Sequence, residues 1–438
     1  MLLNFLILCG LICLNLAETE KDSRPTLHIG AVFPDSLKDN RGWEGGQACH
    51  PAADMALAAV NNRTQLRNNV REWKYPFRLK IIAKNSKCQP GLGLKHMYHF
   101  LYEINSTKIM MLMAGCSMVT TVIAQAAKKW NLLAVSYGAS SPALSDRSRF
   151  PTLYRTHPSA NVHNPTRILL LKEFDWKKIA IVQTVEEVFT STANDLEKQC
   201  HDAGIQVISR QIFSDHPEVV VNNLLKKDAR IIVGLFYDKN ARKLLCEIYK
   251  QKMYGRKYVW LFIGWYPDSW IKIPDIEKNE INCTDSEMEE AANYHITTEA
   301  SLLSRDQNPG ISGRNSEQFL KEIKEKLKKA NLTDSAVGFV EAPLAYDAIW
   351  AIAETLNCAY WSLKNKGKSL LHFEYSDTTT NREIFEKVKY CMQLTNFSGV
   401  SGLVHFTETG DRIATTQIEQ MIGKILQPYS QKFSLINN

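Results

Sequence analysis

Short apolar runs alternate with amphipathic stretches in two series along this chain. The first series predicts strands and helices in turn, at Thr26–Phe33, Gly46–Asn61, Arg78–Lys84, Gly93–Glu103, Lys108–Met113, Met118–Trp130 and Leu132–Tyr137. The second series does the same at Lys178–Gln183, Phe189–Ala203, Gln206–Ile212, Val219–Lys226, Arg230–Phe236, Asn240–Gln251 and Tyr258–Ile263. Continuous apolar strands are typical of parallel sheets that helices cover on both faces. We therefore predict an α/β fold with two lobes, each an open, mostly parallel sheet flanked by helices.

The segments after the second series predict that the chain returns to both lobes. A charged helix is expected at Ser316–Ala330, an apolar helix at about Ala342–Leu356 and a further helix at Arg382–Met392. The end of the chain predicts a hairpin of Gly402–Phe406 and Ile413–Met421. Several crossings between the lobes would make a hinged clamshell, which binds ligands at the carboxyl ends of its strands.

The N-terminus predicts export from the cell. Residues Leu2–Leu16 are almost purely apolar, too few to span a bilayer, and lead through Ala17 into a polar stretch. We assign 1–17 to a signal peptide, 18–157 with 297–395 to lobe 1, and 158–296 with 396–438 to lobe 2. No later stretch reaches eighteen apolar residues. The expected location is extracellular, as a secreted protein or as the ectodomain of a plasma-membrane receptor.

Composition and cysteine spacing narrow the function classes. The formal charge of +7 over 438 residues is modest and scattered, which argues against a nucleic-acid partner. The eight cysteines beyond the signal peptide form no CxxC pair, so disulfides are favoured over a metal site, and no cofactor is expected. Five glycosylation sequons begin at Asn62, Asn105, Asn282, Asn331 and Asn396.

Two predicted strands of the first series end in small and hydroxyl-bearing residues. One runs into Ala114–Ser117 at the start of a helix, where Ser117 can offer a hydroxyl beside the positive helix end or act as a plain N-cap. The next strand ends in Tyr137-Gly138-Ala139-Ser140-Ser141. Together the two ends predict an anion site, with Ser117 and Ser140 as its hydroxyls.

Aromatic and titratable residues stand at the other expected ligand-facing positions. Trp43 lies in a Gly-rich loop after the first strand, and Tyr237 and Trp265 follow strands of the second lobe. His157 stands where the chain should leave the first lobe, as a ligand contact or a hinge or core histidine. Glu341 begins a helix, as a ligand contact or a capping charge. An acid, a histidine, hydroxyls and aromatic faces suit a small zwitterion.

Long segments of this chain resemble a known receptor family. They are GWEGGQAC (42–49), AGCSMVTTVIAQAAKKWNL (114–132), the segments 136–167 and 228–266, and EAPLAYDAIWA (341–351). The chain is similar here to the ligand-binding ectodomains of metabotropic GABA type B receptors, which are class C G-protein-coupled receptors. The resemblance implies a periplasmic-binding-protein type I, or Venus flytrap, clamshell that binds GABA or a similar small zwitterionic amino acid.

The resemblance also implies roles for particular residues. A GABA carboxylate would meet Ser117 and Ser140 beside Gly138, and its amino end would meet His157 and Glu341. Aromatic contacts would come from Trp43, Tyr237 and Trp265.

The resemblance implies covalent and partner contacts as well. It implies the disulfides Cys88–Cys116 and Cys246–Cys283; Cys358–Cys391 is a further predicted pair, which leaves Cys49 and Cys200 free. Tyr98 and Tyr102 match positions where lobe 1 meets a second receptor subunit in a heterodimer, although aromatic pairs four residues apart are often core residues.

The chain departs from the family in places. Ala139 stands where a serine is usual, and the family pattern ends at about Ile425. A G-protein partner is expected only if the full-length form has a membrane domain. The alternative function is a truncated secreted decoy or dimerisation partner without useful ligand affinity. No HExxH or GxSxG motif or phosphate-binding loop is present, so an enzyme is not expected.

Overall fold

Two large sheets organise the part of the chain that the computed structural model describes. The described residues are 22–36, 43–67, 70–104, 108–266, 269–333, 336–376, 378–423 and 425–428. The predicted signal peptide and the sequon asparagine Asn105 lie outside them. The order of the strands follows the two series of the sequence, one sheet to each series.

The first sheet has five parallel strands in the order β4-β1-β5-β6-β7. These are β1 (Thr26–Phe33), β4 (Arg78–Asn85), β5 (Ile109–Ala114), β6 (Leu133–Ser136) and β7 (Leu153–Arg155). All residues of β5 and β6 are buried, as expected of central strands with helices on both faces. A separate hairpin is formed by β2 (Thr64–Arg67) and β3 (Val70–Trp73).

The second sheet has seven strands in the order β16-β15-β12-β11-β10-β8-β9. Its parallel strands are β8 (Lys178–Gln183), β9 (Gln206–Ile212), β10 (Ile231–Leu235), β11 (Val259–Ile263) and β12 (Ile296–Ala300). Two antiparallel strands complete it, β15 (Thr416–Ile422) and β16 (Ile425–Pro428). Another small hairpin is formed by β13 (Asn396–Gly399) and β14 (Gly402–His405).

Helices cover both sheets. They are α1 (Gly46–Asn61), α2 (Pro90–Tyr98), α3 (Ser117–Ala127), α4 (His163–Glu173), α5 (Glu187–Asp202), α6 (Pro217–Lys226), α7 (Asp238–Lys250), α8 (Asp285–Ala292), α9 (Ser316–Lys329), α10 (Ala342–Lys364) and α11 (Thr379–Gln393). The apolar α10 packs between α1 and α11. Helix α9 begins with a capping box of Asn315 and Gln318, which satisfies two amides at its first turn. A π-helical turn, His99–Glu103, extends α2.

Three segments of chain pass between the sheets. The first follows β7, the second follows β12, and the third lies between β14 and β15. The first and third are joined by an ion pair in which Arg155 Nε lies 2.5 Å from Asp411 Oδ1, with the arginine side chain almost fully buried. Arg412 also donates to the Thr156 carbonyl at 3.3 Å. These contacts join two of the three crossing segments.

The predicted C-terminal hairpin is wrong in its strand pairing. The turn does form, since Thr407 N donates to Asp411 O at 2.8 Å. Beyond Arg412, however, the chain enters the second sheet as β15 and pairs with β12, whereas β14 pairs with β13. The local turn signal was correct, but the open edge of β12 offers β15 a longer antiparallel ladder than β14 does.

The predicted lobe boundaries stay a prediction, and two observations bear on them. Strand β12 runs through the boundary at 296/297, and so residues up to Ala300 belong to the second sheet. Val400 and Val404, placed in lobe 2 from the sequence, lie in the hydrophobic core beneath the first sheet.

The cysteines and sequon asparagines can be located in this fold. The structure contains the disulfides Cys88–Cys116, Cys246–Cys283 and Cys358–Cys391, and Cys49 and Cys200 are free and buried. The described sequon asparagines are all exposed: Asn62, Asn282, Asn331 and Asn396. Glycosylation of these asparagines stays a prediction.

Candidate functional site

Ser117 is the first residue of α3, directly after the loop that follows β5. It is not the helix cap, because Cys116 holds that position. Instead, its Oγ accepts hydrogen bonds from the backbone amides of Ser140 at 3.2 Å and Ser141 at 3.4 Å. Both bonds use oxygen lone pairs, which leaves the hydroxyl proton free to donate to an anion. The structure therefore brings together the two hydroxyl-rich strand ends.

The loop beside Ser117 is shaped by small residues. A Cβ atom on Gly138 would lie 2.3 Å from the ring of Trp43, so the indole lies directly against this glycine. The Trp43 ring also lies 6.3 Å from that of Tyr137, measured between centroids. Ser140 and Ser141 are buried, and the Ser141 Oγ has no hydrogen-bond partner among the described residues. Trp43 thus forms an aromatic wall over a loop with unused hydroxyl capacity.

His157 is buried in the first crossing segment and is neutral near pH 7. Burial lowers its pKa to about 4. Its Nδ1 lies 2.7 Å from the Pro158 carbonyl oxygen, and because a carbonyl can only accept, Nδ1 carries the ring proton. The other ring nitrogen, Nε2, is consequently left as an acceptor. His157 can accept a hydrogen bond from an ammonium group but supplies no positive charge.

Glu341 occupies the N-cap position of α10, but its side chain does not cap the helix. Burial raises the pKa of its carboxyl to about 7, and a bond to its own backbone amide opposes this only in part. A half-buried carboxyl with so high a pKa gains most from a neighbouring cation. Glu341 thus stands at the helix start without a side-chain cap bond, and its role as a ligand contact stays a prediction.

The second lobe faces these residues with aromatic rings. Tyr237 follows β10, Trp265 follows β11, and Phe189 of α5 contacts both, with ring centroids at 4.8 Å and 6.1 Å. The Trp265 ring also meets His157 edge to face at 6.4 Å, a contact between the second lobe and the first crossing. Burial raises the pKa of Tyr237, and the nearby carboxylates of Glu186 and Glu341 raise it further. Since Glu341 begins a helix of the first lobe, the two lobes face each other here.

Glu186 is a candidate that the sequence analysis missed. It is the N-cap residue of α5, beyond the carboxyl end of β8, and its Oε2 is buried without a hydrogen-bond partner among the described residues. Its charge raises the pKa of Tyr237, so a second carboxylate lies near the aromatic rings of the second lobe. The rule that ligands meet strand ends applies to β8 as it does to β10 and β11, and so it could have pointed to this residue.

Tyr98 and Tyr102 lie outside the cleft residues described above. They are 40% and 63% exposed, so the core interpretation of this pair is wrong. Both pack against Trp130 with ring centroids 5.8 Å and 6.4 Å away, and the Trp130 indole nitrogen donates to the Tyr102 hydroxyl. The two exposed tyrosines and the half-buried Trp130 form an aromatic cluster on the first lobe.

The described residues contain no group of three or more metal-ligating side chains and no helix long and apolar enough to cross a bilayer. What the cleft does offer is a set of donors near Ser117, carboxylates near Tyr237, and aromatic rings between them. Such a set can hold a small molecule with a negative and a positive end.

Comparison with known proteins agrees with this arrangement. The family described as receptor family ligand binding region matches residues 48–424. The chain is 47% identical over 406 residues to gamma-aminobutyric acid type B receptor subunit 1 of Mus musculus, covering 93% of this chain and 40% of that protein. It is 49% identical to subunit 1 of Caenorhabditis elegans, over 91% of this chain and 42% of the relative. Subunit 2 of Homo sapiens is 32% identical, over 86% of this chain and 38% of the relative.

The chain spans about two fifths of the length of these relatives. The matched segment includes the cleft residues described above except Trp43, and it includes the strands of both sheets except β1, which precedes it, and β16, which follows it. The two-lobed architecture, the ligand-facing strand ends and this match agree, and the chain belongs to the family of receptor ligand-binding regions.

Proposed function

We propose that this chain recognises GABA, or a similar small zwitterionic amino acid, as the extracellular ligand-binding region of a metabotropic GABA type B receptor. The observation that carries the proposal is the Ser117 hydroxyl, which is fixed by two loop amides and keeps its proton for an anion. A carboxylate is also available in the cleft, since the charge of Glu341 in the first lobe raises the pKa of Tyr237 in the second. The relatives that bear the receptor name match over most of this chain.

The ligand's carboxylate is assigned to the first lobe. Ser117 and Ser140 would donate to it, and Gly138 would allow close approach of the backbone. The first turn of α3 adds the positive end of a helix, which favours an anion at this position. Removing one hydrogen bond to a charged group of this kind costs about 1.5–3 kcal/mol.

The ligand's ammonium is assigned to Glu341 and His157. The Glu341 carboxylate supplies the counter-charge, and the neutral His157 supplies a ring nitrogen that accepts a hydrogen bond. Trp43, Tyr237 and Trp265 would enclose the short carbon chain and exclude water. Because the rings of the second lobe reach the ligand only when the lobes approach, binding favours the closed clamshell.

A second part of the proposal concerns assembly. We infer that the cluster of Tyr98, Tyr102 and the half-buried Trp130 contacts a second GABA type B subunit in a heterodimer. Exposed aromatic clusters are common in protein interfaces, and one relative of this chain is a subunit 2. Coupling to a G protein would belong to a membrane domain in the full-length receptor.

Calorimetric titration with GABA tests the binding proposal. The wild-type chain should bind saturably, and Ser117→Ala should weaken binding by about 10- to 150-fold, from the loss of one charge-assisted bond. Ser214→Ala, at an exposed loop serine of the second lobe, is the matched control and should bind like wild type. Butyrate and butylamine, which each lack one charged end, should both bind far more weakly than GABA.

Two outcomes would contradict the proposal. One is the absence of GABA binding by folded, monodisperse wild-type chain. The other is a Ser117→Ala variant that binds with wild-type affinity, since the anion anchor would then lie elsewhere.

A further inference from the structure

One buried arginine in this fold differs from the other buried arginines in having no carboxylate beside it. Among the described residues, four arginines are at most 5% exposed: Arg155, Arg167, Arg242 and Arg412. Three of them have a carboxylate close by, in the combinations Arg155 with Asp411, Arg242 with Glu277, and Arg412 with Asp347 through the shared Ser401 hydroxyl. This is the normal condition for a buried charge, because desolvation must be offset by an opposite charge. Arg167 is the exception.

Arg167 lies on α4 and is fully buried. Its Nη1 donates to Asn164 Oδ1 at 2.8 Å, but Nε and Nη2 have no partner among the described residues. The carboxylate of Asp195 is reached only indirectly, since it accepts from the other end of the Asn164 amide at 2.7 Å. Burial lowers the pKa of Arg167 to about 10, so the guanidinium is still charged at neutral pH. A buried charge therefore keeps two guanidinium nitrogens, with three N–H groups between them, that have no partner among the described residues.

The groups around Arg167 are neutral and polar. His163 precedes it by four residues and so lies on the same face of α4; it is buried and its Nδ1 has no partner among the described residues. Burial lowers the pKa of His163 well below its ordinary value, and Arg167 lowers it further, which keeps the ring uncharged. Tyr266 is the titratable group that opposes the lowered pKa of Arg167. None of these groups supplies a negative charge at neutral pH.

Strand β12 adds a hydroxyl on the side that α4 covers. The side chain of Ile296 packs in the same core as Leu171 of α4, and Thr298, two residues further along the strand, points to the same face. The Thr298 hydroxyl is fully buried and also lacks a partner among the described residues. Polar groups without a partner among the described residues thus lie on both α4 and β12, which pack together.

We propose that Arg167, His163 and Thr298 hold one small monovalent anion of the halide type inside the second lobe. A single guanidinium balances a single negative charge, and the burial of all three side chains favours an ion that sheds its water readily and needs little space. A divalent oxyanion would bring a second buried charge without a partner. The bound ion would satisfy the free N–H groups of Arg167 and cancel its charge.

The anion site adjoins the aromatic wall of the cleft. The His163 ring packs edge to face on Trp265 with centroids 6.1 Å apart, and Tyr266 follows Trp265 in the chain. The ion would therefore support the wall from behind. If the proposed GABA site is correct, replacing the halide should also weaken GABA binding; that consequence rests on the proposed function, whereas the anion site does not.

The test measures thermal unfolding of the purified chain without GABA, at constant ionic strength. Replacing chloride by gluconate, a monovalent anion too large for a buried site, should lower the midpoint by about 2 °C or more through loss of a ligand of the folded state. Bromide should restore the midpoint. Arg167→Met should abolish the difference between chloride and gluconate, and equal midpoints for wild type in both salts would overturn the proposal.

The variant Asp195→Asn tests whether Arg167 is neutralised by a bound anion or by the carboxylate of Asp195. If the anion neutralises Arg167, this variant keeps the chloride response of wild type. The opposite result has two parts: wild type shows no chloride response, and Asp195→Asn is destabilised equally in chloride and in gluconate. That result would assign the neutralisation of Arg167 to Asp195, acting through Asn164.

Crystals of the wild-type chain grown in bromide provide a readout that needs no variant. An anomalous bromide peak beside the Arg167 guanidinium is expected. A water molecule there, with no anomalous signal, would overturn the proposal even if GABA binds normally. The binding titration in chloride tests the GABA site alone, so the two proposals can fail separately.

Discussion

The two walls of the cleft are built from different chemistry. The first lobe contributes hydroxyls, loop amides, a helix start and the carboxyl of Glu341, all held by strand ends of one sheet and by α10. The second lobe contributes mainly rings, with Tyr237 and Trp265 joined through Phe189. Under the proposed function, this difference would make charge recognition and lobe closure separate tasks. A ligand can be selected on the first wall before the second wall covers it.

Removing the counter-charge from the first wall should have the largest effect. We expect Glu341→Gln to weaken GABA binding by about 30- to 5,000-fold, because truncating one partner of a buried charge pair costs about 2–5 kcal/mol. The loss should come from faster dissociation and slower productive docking, measured by stopped-flow and titration. Glu408→Gln, at an exposed turn, is the matched control. An unchanged affinity in Glu341→Gln would place the ammonium partner elsewhere, with Glu186 as the next carboxylate to substitute.

Removing a ring from the second wall should have a smaller and kinetically different effect. Trp265→Leu keeps an apolar side chain but loses the contacts with His157 and Phe189. We expect dissociation about 10- to 50-fold faster with little change in association, since the ring closes over a ligand that is already docked. Trp361→Leu, at a 40% exposed indole, is the control. If association slowed as much as dissociation accelerated, selection and closure would not be separate.

The sequence predicted the features of each wall that depend on neighbouring residues, and it missed those that depend on residues far apart in the chain. Strands such as β1, β8 and β9 were predicted with their observed bounds, because a short apolar run between turn signals is local information. The position of Trp265 at the end of β11 came from the same pattern. The pairing of β15 with β12 did not, because it depends on which distant edge is free.

The roles of the site residues needed both the resemblance and the structure. The resemblance suggested Ser117 as a ligand contact, but its bonds to the amides of Ser140 and Ser141 join residues 23 and 24 positions apart and cannot be derived from spacing. The unpaired guanidinium of Arg167 was also hidden, since burial without a carboxylate is a property of packing. The sequence indicated which residue types stand at the strand ends, but it did not indicate which buried polar groups have hydrogen-bond partners.

A pH titration should have the smallest effect and tests the first wall alone. The free Glu341 carboxyl has a pKa of about 7, and a bound ammonium should lower it. Affinity should therefore rise with pH as Glu341 ionises, by about tenfold between pH 6 and pH 8, and fall as pH decreases through 7. His157, with a pKa of about 4, does not titrate in this range, and burial keeps Tyr237 protonated.

The Glu341 carboxyl should affect folding stability in the opposite direction to GABA affinity as pH rises, which provides an internal check. Because the folded-state pKa of Glu341 is above its ordinary value of 4.5, the folded chain without GABA should lose stability as pH rises from about 4.5 to 7. Glu341→Gln should remove this loss and also flatten the pH dependence of binding, measured by thermal unfolding and by titration in buffers of different ionisation enthalpy. Trp265→Leu should keep both pH dependences, because the ring it removes carries no titrating charge. A pH response that disappeared with Trp265 and persisted without Glu341 would reverse the assignment of charge recognition to the first wall.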